Sequence, residues 1–600
     1  VRAVLVVLLF NSFQTLVAMG FRETFIGTGD RYNYASLCIP TYPCAKAEDK
    51  KPMNFYGKDE AIPIFLSLLM GLQHAFAMIG GLITPALVVF KFSINFGNTE
   101  LQQYAISAAL ITSGICTLIN IAKFPIPRSD KIFGRMLYVG SGVLSVTGTS
   151  FTFLPIFEIG IQQMKGAGID AELAYGKMLG TSIVCCFLEL FLSILPPKTL
   201  KRLFPPIVSS VTVMLIGVAL TGTGMKYWGG GVVCADMVWQ EHAKAVNATN
   251  FGYNFGNPTS TCQVGEVRMP YGSTEFIGLG FGVLCALVVI ELFGSVFMKN
   301  CNVILALLFG YFIGFVSRHT LDDGTAQKFV TATNIENAKP ITFLWAETFP
   351  IGFYGPAVIP LLISYLVTTV ETVGDISAVY DVSDLDTESE EYSESIQGGL
   401  TSDAVSSILS GLFTSMPNTT FSQNNGVIAL TNCASRRAGY ACGFWLILMG
   451  IFGKVAGVIT SIPDCVIGGM TIFLFSNVLV SGVSLAASTL DMNSRRTRFI
   501  LALSLAIGVG VSVYPYAFQD LRGSRYTAKF WTCSECSDTL KGVRDGVSIF
   551  LSTGYCVGTV VAMLLNSILP EDAPMSKGKQ DTDCSEKFEE RDEKSVEDSA

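Results

Sequence analysis

Hydrophobic residues run along this chain in long stretches, without the alternation of a half-buried sheet. Such stretches cover residues 62–90, 104–121, 178–195, 207–220, 276–297, 303–316, 357–370, 442–459, 466–485, 499–513 and 548–569. A helix needs roughly 20 apolar residues to cross a bilayer. Shorter stretches broken by Gly and Pro bring the expected number of spans to about 14. The pattern predicts an all-α polytopic membrane protein.

Polar residues inside this pattern are its informative exceptions. Glu371 and Asp375 follow an apolar run that begins at Ile359. A carboxylate near the bilayer centre costs about 2.5–3.5 kcal/mol, so it implies a purpose: a polar solute, a coupling ion or a proton. Their i,i+4 spacing puts both on one helical face.

Two further segments are interrupted, and they look alike. Ser145-Val-Thr-Gly-Thr-Ser-Phe151 and Ser415-Met-Pro-Asn-Thr-Thr-Phe421 share the pattern Ser-x-x-(Gly/Asn)-Thr-(Ser/Thr)-Phe, 270 residues apart. A fainter echo, Pro205-Pro-Ile-Val208 and Pro463-Asp-Cys-Val466, recurs 258 residues apart. Matching broken segments in two halves point to a transporter's substrate site. Short extended breaks are expected in both, with half-helix ends aimed at the solute. Seven spans in each half would make the repeats inverted.

The second broken segment continues Gln423-Asn424-Asn425-Gly426. The Gln423 amide offers a carbonyl and an NH2 side by side, which matches a lactam or imide edge. An ionised Glu371 only accepts, so it suits a ring N–H. Phe151 supplies a flat face for stacking. Together they suit a flat, neutral heterocycle such as a nucleobase. An anion would want cations, and the core spans offer few. His74 is the one histidine in an apparent span, with Asp375 or Asp403 as its expected partners for proton transfer or for an interhelical bond. No paired metal ligands or nucleophile motif suggest an enzyme, and neither a cofactor nor a nucleic-acid partner is expected.

Composition agrees: of 600 residues, 50% are hydrophobic and only 15% charged. The formal net charge of −8 arises mostly in residues 571–600, which hold 11 acidic and 5 basic residues and read as a disordered tail. A second acidic run, residues 381–394, reads as a solvated connector. Basic residues cluster at 123–135, 198–202, 436–437 and 495–498. In a 14-span count these lie on one side together with both termini, and the positive-inside rule makes that side cytoplasmic. The segment 227–273 then lies outside, with the glycosylation sequon at Asn247 and a candidate disulfide between Cys234 and Cys262. Residues 519–545 fit this orientation less well, with five basic residues against four acidic. Cys533 and Cys536 have metal-like spacing but no second pair nearby. Residues 1–54 read as an N-terminal tail. Its first 18 residues resemble a cleaved or upstream-translated segment more than a span.

At these residues the chain resembles the nucleobase–ascorbate transporter family, from about residue 55 to residue 570. The signature Gln423-Asn-Asn-Gly426-(x4)-Thr431-Asn432 is joined in order by Gln73-His74, Gly148-Thr-Ser-Phe151, Glu291-Leu-Phe-Gly-Ser295 and Glu371-x3-Asp375. The chain looks most like the fungal uric acid–xanthine permeases. The resemblance implies 14 segments in two inverted repeats, about residues 55–320 and 340–570, divided into core and gate domains. It implies a plasma-membrane homodimer that takes up purines, foremost uric acid and xanthine, with protons by an elevator-like motion. Another nucleobase (uracil, adenine, guanine, hypoxanthine) or ascorbate is the alternative cargo. By the same resemblance Glu371 and Gln423 grip the purine, Phe151 stacks on it, and backbone near Ser150, Phe421 and Ser422 adds bonds. Asn424 orients the site. Asp375, Asp403 and His74 serve coupling or core integrity. Asn432, where relatives often carry Arg or Lys, and Thr553 and Tyr555, near a position where relatives tend to carry a gate Phe, are expected to tune selectivity.

Overall fold

The apolar stretches become helices whose ends are set by local chemistry. The computed structural model describes residues 55–90, 99–195, 205–232, 234–235, 262–321, 324–514 and 538–570, with Phe25, Leu37 and Cys38. Asn247, Cys533, Cys536, the basic cluster at 198–202, the acidic tail and nearly all of residues 1–54 lie outside the described residues.

Numbering only helices of eight residues or more, the first half contains α1 (Ile64–Val88), α2 (Thr99–Ala122), α3 (Leu154–Gly166), α4 (Ala171–Cys185), α5 (Phe187–Ile194), α6 (Pro206–Trp228), α7 (Thr274–Phe293) and α8 (Asn302–Val316). The second half contains α9 (Val358–Val382), α10 (Glu390–Leu412), α11 (Gln423–Thr431), α12 (Arg436–Ile451), α13 (Gly453–Thr460), α14 (Asp464–Thr489), α15 (Arg495–Val513), α16 (Asp538–Ser552) and α17 (Gly554–Ile568). Among the described residues, eight helices are long and apolar enough to cross a membrane, or up to ten if two bent pairs each count as one span. The bends are 76° between α12 and α13 and 83° at the end of α16 before α17. This is a multi-pass membrane protein.

The faint echo of the sequence marks two helix starts. Pro205 and Pro463 are the N-cap residues of α6 and α14. Proline suits a helix start, where the first N–H groups have no intrahelical acceptor. These two helices pack closely on each other. A Cβ at Gly217 of α6 would lie 2.5 Å from the Leu479 amide, and one at Gly482 of α14 would lie 2.6 Å from the Met214 amide. Close backbone approach through small residues is how membrane helices associate without a hydrophobic driving force.

Helix α10 differs in kind. Serine, threonine and glycine dominate it, yet Gln397–Asp403 are all buried. Such a helix is stable in a membrane only when other helices shield it from lipid. Its first turns also add to one expectation. The acidic run at 381–394 is largely exposed as a solvated connector should be, but it is also tied down, because Glu391 pairs with Lys58 and Glu394 lies 2.9 Å from Lys123. The basic ends of neighbouring elements hold it. At the other side, Cys234 and Cys262 form a disulfide with Cα atoms 5.4 Å apart, beside a short ribbon of Cys262–Val264 with Val267–Met269.

Candidate functional site

An extended segment inside a membrane leaves its N–H and C=O groups without partners, at several kcal/mol each. Here two such segments satisfy each other. Strand β1 (Thr147–Thr149) pairs antiparallel with β2 (Asn418–Thr420), in the register Thr147 to Thr420, Gly148 to Thr419 and Thr149 to Asn418. The Phe421 amide donates to the Val146 carbonyl at 3.0 Å and the Ser150 amide to the Pro417 carbonyl at 2.9 Å, one bond beyond each end. Hydroxyls from neighbouring helices serve the outward backbone. Thr117 of α2 accepts from the Thr147 amide at 3.0 Å, and Ser407 of α10 donates to the Asn418 carbonyl at 3.0 Å. The two repeated sequence segments are therefore one ladder. A 3-10 turn (Phe151–Phe153) leads from β1 into α3, and β2 leads into α11.

The ladder uses two groups expected to face a solute. The Ser150 and Phe421 amides donate within it, and the Ser150 hydroxyl accepts from the Thr152 amide at 3.3 Å. What remains for a ligand in this stretch is side chain and the backbone at Phe151 and Ser422, the latter exposed at the start of α11.

Carboxyls from α9 and α10 lie against the second strand. Thr420 donates to Asp375 Oδ2 at 2.8 Å, Thr419 donates to Asp403 Oδ2 at 3.0 Å, and Thr372 donates to the same Asp403 oxygen at 2.6 Å. Glu371, one residue before Thr372 and one turn before Asp375, has the Thr152 side chain as its hydrogen-bonding neighbour. Glu371 and Asp375 are half-buried, whereas Thr372 and Asp403 are buried. The i,i+4 pair thus borders accessible space, and Asp403 lies behind it.

The three consecutive amides have three different fates. Asn425 donates to the Asp375 carbonyl at 3.4 Å. Asn424, fully buried, donates to His74 Nδ1 at 3.0 Å and to the His74 carbonyl at 3.1 Å. The half-buried Gln423 side chain makes no hydrogen bond to any described residue. In sequence it falls between Thr420 and Asn425, which both bond to Asp375, and its helix α11 packs on α9. His74 therefore has a different partner from the one expected. It meets Asn424 rather than Asp375 or Asp403, because α11 packs on α1 there. An amide NH2 donating to Nδ1 leaves the ring proton on Nε2. Its neighbour Gln73 accepts from Asn300 at 3.0 Å.

A half-buried acid and an unused amide beside a crossed pair of broken segments make the kind of arrangement from which transporters build solute sites. Comparison with known sequences places this architecture. The sequence model of the Permease family (Xan_ur_permease) matches residues 66–252 and 258–517. The chain belongs to the Permease family. It is 37% identical to the uric acid-xanthine permease of Emericella nidulans over 561 residues, 92% of this chain and 88% of that one. It is 38% identical to the purine permease of the same fungus over 562 residues, 92% of this chain and 89% of the relative. The xanthine permease XanP of Escherichia coli is 28% identical over 530 residues, 88% of this chain and 96% of that one. The resemblance read from the motifs is thus borne out, and the protein is a permease rather than an enzyme.

Two aromatic rings of this permease flank the ladder. A Cβ at Gly81 of α1 would lie 2.8 Å from the Phe421 ring and 3.7 Å from the Phe151 ring. Phe151 also meets Phe475 of α14 edge to face, with centroids 5.3 Å apart. Asn432 closes α11 with a positive φ of 52°, and its carbonyl accepts from the Tyr56 amide at 2.8 Å. The left-handed region admits Asn more readily than most non-glycine residues. Thr553 is buried at the kink before α17, where its hydroxyl donates to the Ile549 carbonyl at 2.7 Å. Tyr555, fully buried, donates to the Thr152 carbonyl at 2.5 Å and lies 3.2 Å from the Ser364 hydroxyl. Its hydroxyl was expected to alter the substrate range. In the structure it ties the last helix to the first broken segment.

Sequence reasoning missed the threonines at 152, 372, 419 and 420, and it missed Glu189. A signal existed for Glu189, which is the one charged residue in the apolar stretch 178–195. The insertion cost that singles out Glu371 singles it out equally.

Proposed function

We propose that this permease carries purine nucleobases, foremost xanthine and uric acid, into the cell together with protons. The observation that carries the reading is Gln423. Its amide is left unused while the Asn424 and Asn425 NH2 groups are bonded, and its helix α11 packs on α9, which carries the half-buried Glu371. An amide gripping a ring N–C=O edge and an acid accepting a ring N–H fit an oxopurine. The rings of Phe151 and Phe421 offer stacking faces beside them. The names of the fungal and bacterial relatives support the same substrate class.

The wider reading has the chain as two inverted repeats of seven segments. Its support is the recurrence of two long helices followed by a strand and half-helix, at α1, α2 and β1–α3 and again at α9, α10 and β2–α11. The packing divides accordingly. Helices α1, α2 and α12 associate around the ladder with α5, α9 and α10, while α6, α7, α14, α15 and α17 associate with one another. We assign the first group to a mobile core and the second to a gate, and transport to an elevator-like motion of one along the other. A plasma-membrane homodimer with both termini cytoplasmic completes the proposal, supported by the family resemblance and the basic loops.

Uptake of radiolabelled xanthine in a permease-deficient host tests it, with unlabelled uric acid, hypoxanthine, adenine, uracil and ascorbate as competitors. The expected result is concentrative uptake that uric acid inhibits most, that collapses with the proton gradient, and that Glu371→Ala or Gln423→Ala weakens. Uptake indifferent to both substitutions would sink the site. Stronger competition by uracil or ascorbate would reassign the cargo.

A further inference from the structure

Four carboxyl groups, not three, lie in the interior of this permease. Glu189 of α5 is fully buried, as is Asp403 of α10, and the two helices pack together, with the Cys186 thiol of α5's N-cap donating to the Ala404 carbonyl of α10 at 3.0 Å. Their remaining contacts are arranged in a specific way. Asp403 Oδ2 accepts from both Thr372 and Thr419, and Glu189 Oε1 accepts from Thr368 at 3.0 Å. That leaves Asp403 Oδ1 and Glu189 Oε2, both buried and both without a donor.

Ionised carboxylates only accept, so two buried on packed helices with no donor for their free oxygens are not both charged. Among the described residues, no salt bridge reaches any of the four carboxyls. The other titratable neighbours of the pair cannot supply a positive charge. Glu189 faces Cys186, Tyr365 and, at longer range, Glu371, while Asp403 faces Cys116 and Asp375. A single proton between the two orphaned oxygens satisfies both at once.

We propose that Glu189 and Asp403 share one proton and that this is the proton carried with the solute, a reading that rests on the proton-coupled transport proposed above. The pair is joined to the solute site through α9. Thr372 donates to Asp403, and Glu371 is its chain neighbour. A proton on the pair removes a negative charge that would oppose an anionic Glu371, and anionic Glu371 is the form that accepts a ring N–H. Loading of the pair and loading of the solute therefore favour each other, and the coupling is reciprocal. His74 is excluded from this role by its bonds to Asn424.

Glu189→Gln tests the pairing, because its NH2 replaces the shared proton with a permanent donor to Asp403. Full-length wild type and variant are reconstituted in liposomes, with labelled xanthine uptake measured across a range of external pH alongside substrate-for-substrate exchange. The expected result is loss of concentrative, pH-driven uptake in the variant while exchange persists. Variant uptake that matches the wild type at every pH overturns the shared proton. So does uptake that tracks sodium instead of pH. Wild type that accumulates no xanthine at any pH defeats the transport reading itself, a distinguishable failure. If the variant does not fold, infrared spectra of purified wild type decide. A protonated-carboxyl band that shifts in D2O at neutral pH supports the pair, and absence of any such band overturns it.

Discussion

Gln423 and Asn424 are adjacent amides whose substitution should produce two different failures. Asn424 is buried and doubly bonded to His74, so Asn424→Ala removes a tie between α11 and α1 and leaves the His74 Nδ1 without a partner. Leaving a buried polar group unpaired costs about 1–3 kcal/mol. The expected phenotype is reduced thermal stability in detergent and lower abundance. Gln423→Ala disturbs no internal bond, so abundance should hold while the KM for xanthine rises roughly 3- to 10-fold, the equivalent of one neutral hydrogen bond. Glu371→Gln should cost more, roughly 10- to 100-fold in KM, because a charged acceptor is lost. Equal effects of Gln423→Ala and Asn424→Ala on stability would contradict this division. At this scale the sequence was legible where residues are costly in lipid. Carboxylates and consecutive amides declare themselves by their insertion cost. Threonines do not, since a threonine in a helix can bond the carbonyl one turn back, as Thr369 does with Tyr365. The roles of Thr372, Thr419 and Thr420 are visible only once their acceptors are in place.

Among elements, the strand pair shows how far a repeat can be read. Gly, Asn and hydroxyls at matching places in two halves mark both segments as interrupted, and the hydrogen-bonding rule in lipid requires each to find a partner. That each is the other's partner could not be read, because a register is fixed by tertiary packing around the pair. Here Leu82 and Phe421 close on Gly148, whose missing Cβ would otherwise lie 2.7 and 2.8 Å from them. The end of α11 hides a further role for a related reason. Asn432 is expected from the sequence to tune selectivity, and its backbone is also left-handed and caps the helix. Asn432→Gly should therefore keep thermal stability and uptake nearly intact. Asn432→Val should lower stability by about 1–2 kcal/mol, the cost of forcing a side chain into that conformation. A melting series of the three proteins in detergent checks this, and a Val variant as stable as the Gly variant would leave Asn432 a role in selectivity alone.

Across the whole molecule, the proposed motion has to cross a seam that one hydroxyl bridges. An apolar cavity of about 370 Å³ lies between α6, α9 and α17, lined by residues such as Val208, Thr212, Leu366, Val370, Thr559 and Met563. Smooth apolar surfaces there offer little that is specific to one relative position of the two groups of helices. The Tyr555 hydroxyl is specific, because it holds the Thr152 carbonyl beside Glu371 and Phe151 from a helix of the other group. If the core slides along the gate, this bond forms in one state and breaks in another. Tyr555→Phe would then destabilise only the state seen here, by about 1–3 kcal/mol, which shifts the balance of states roughly 5- to 150-fold. Glu371 and Gln423 would keep their geometry, so competition among purines should retain its order. The rate of uptake should change, with the direction showing which state limits the cycle: faster if escape from this one is slow, slower if its formation is. Uptake kinetics and the competition series, measured on one preparation, separate the outcomes. A changed order of competitors with an unchanged rate would make Tyr555 a selectivity residue, as its place in the sequence first suggests, and would remove the latch.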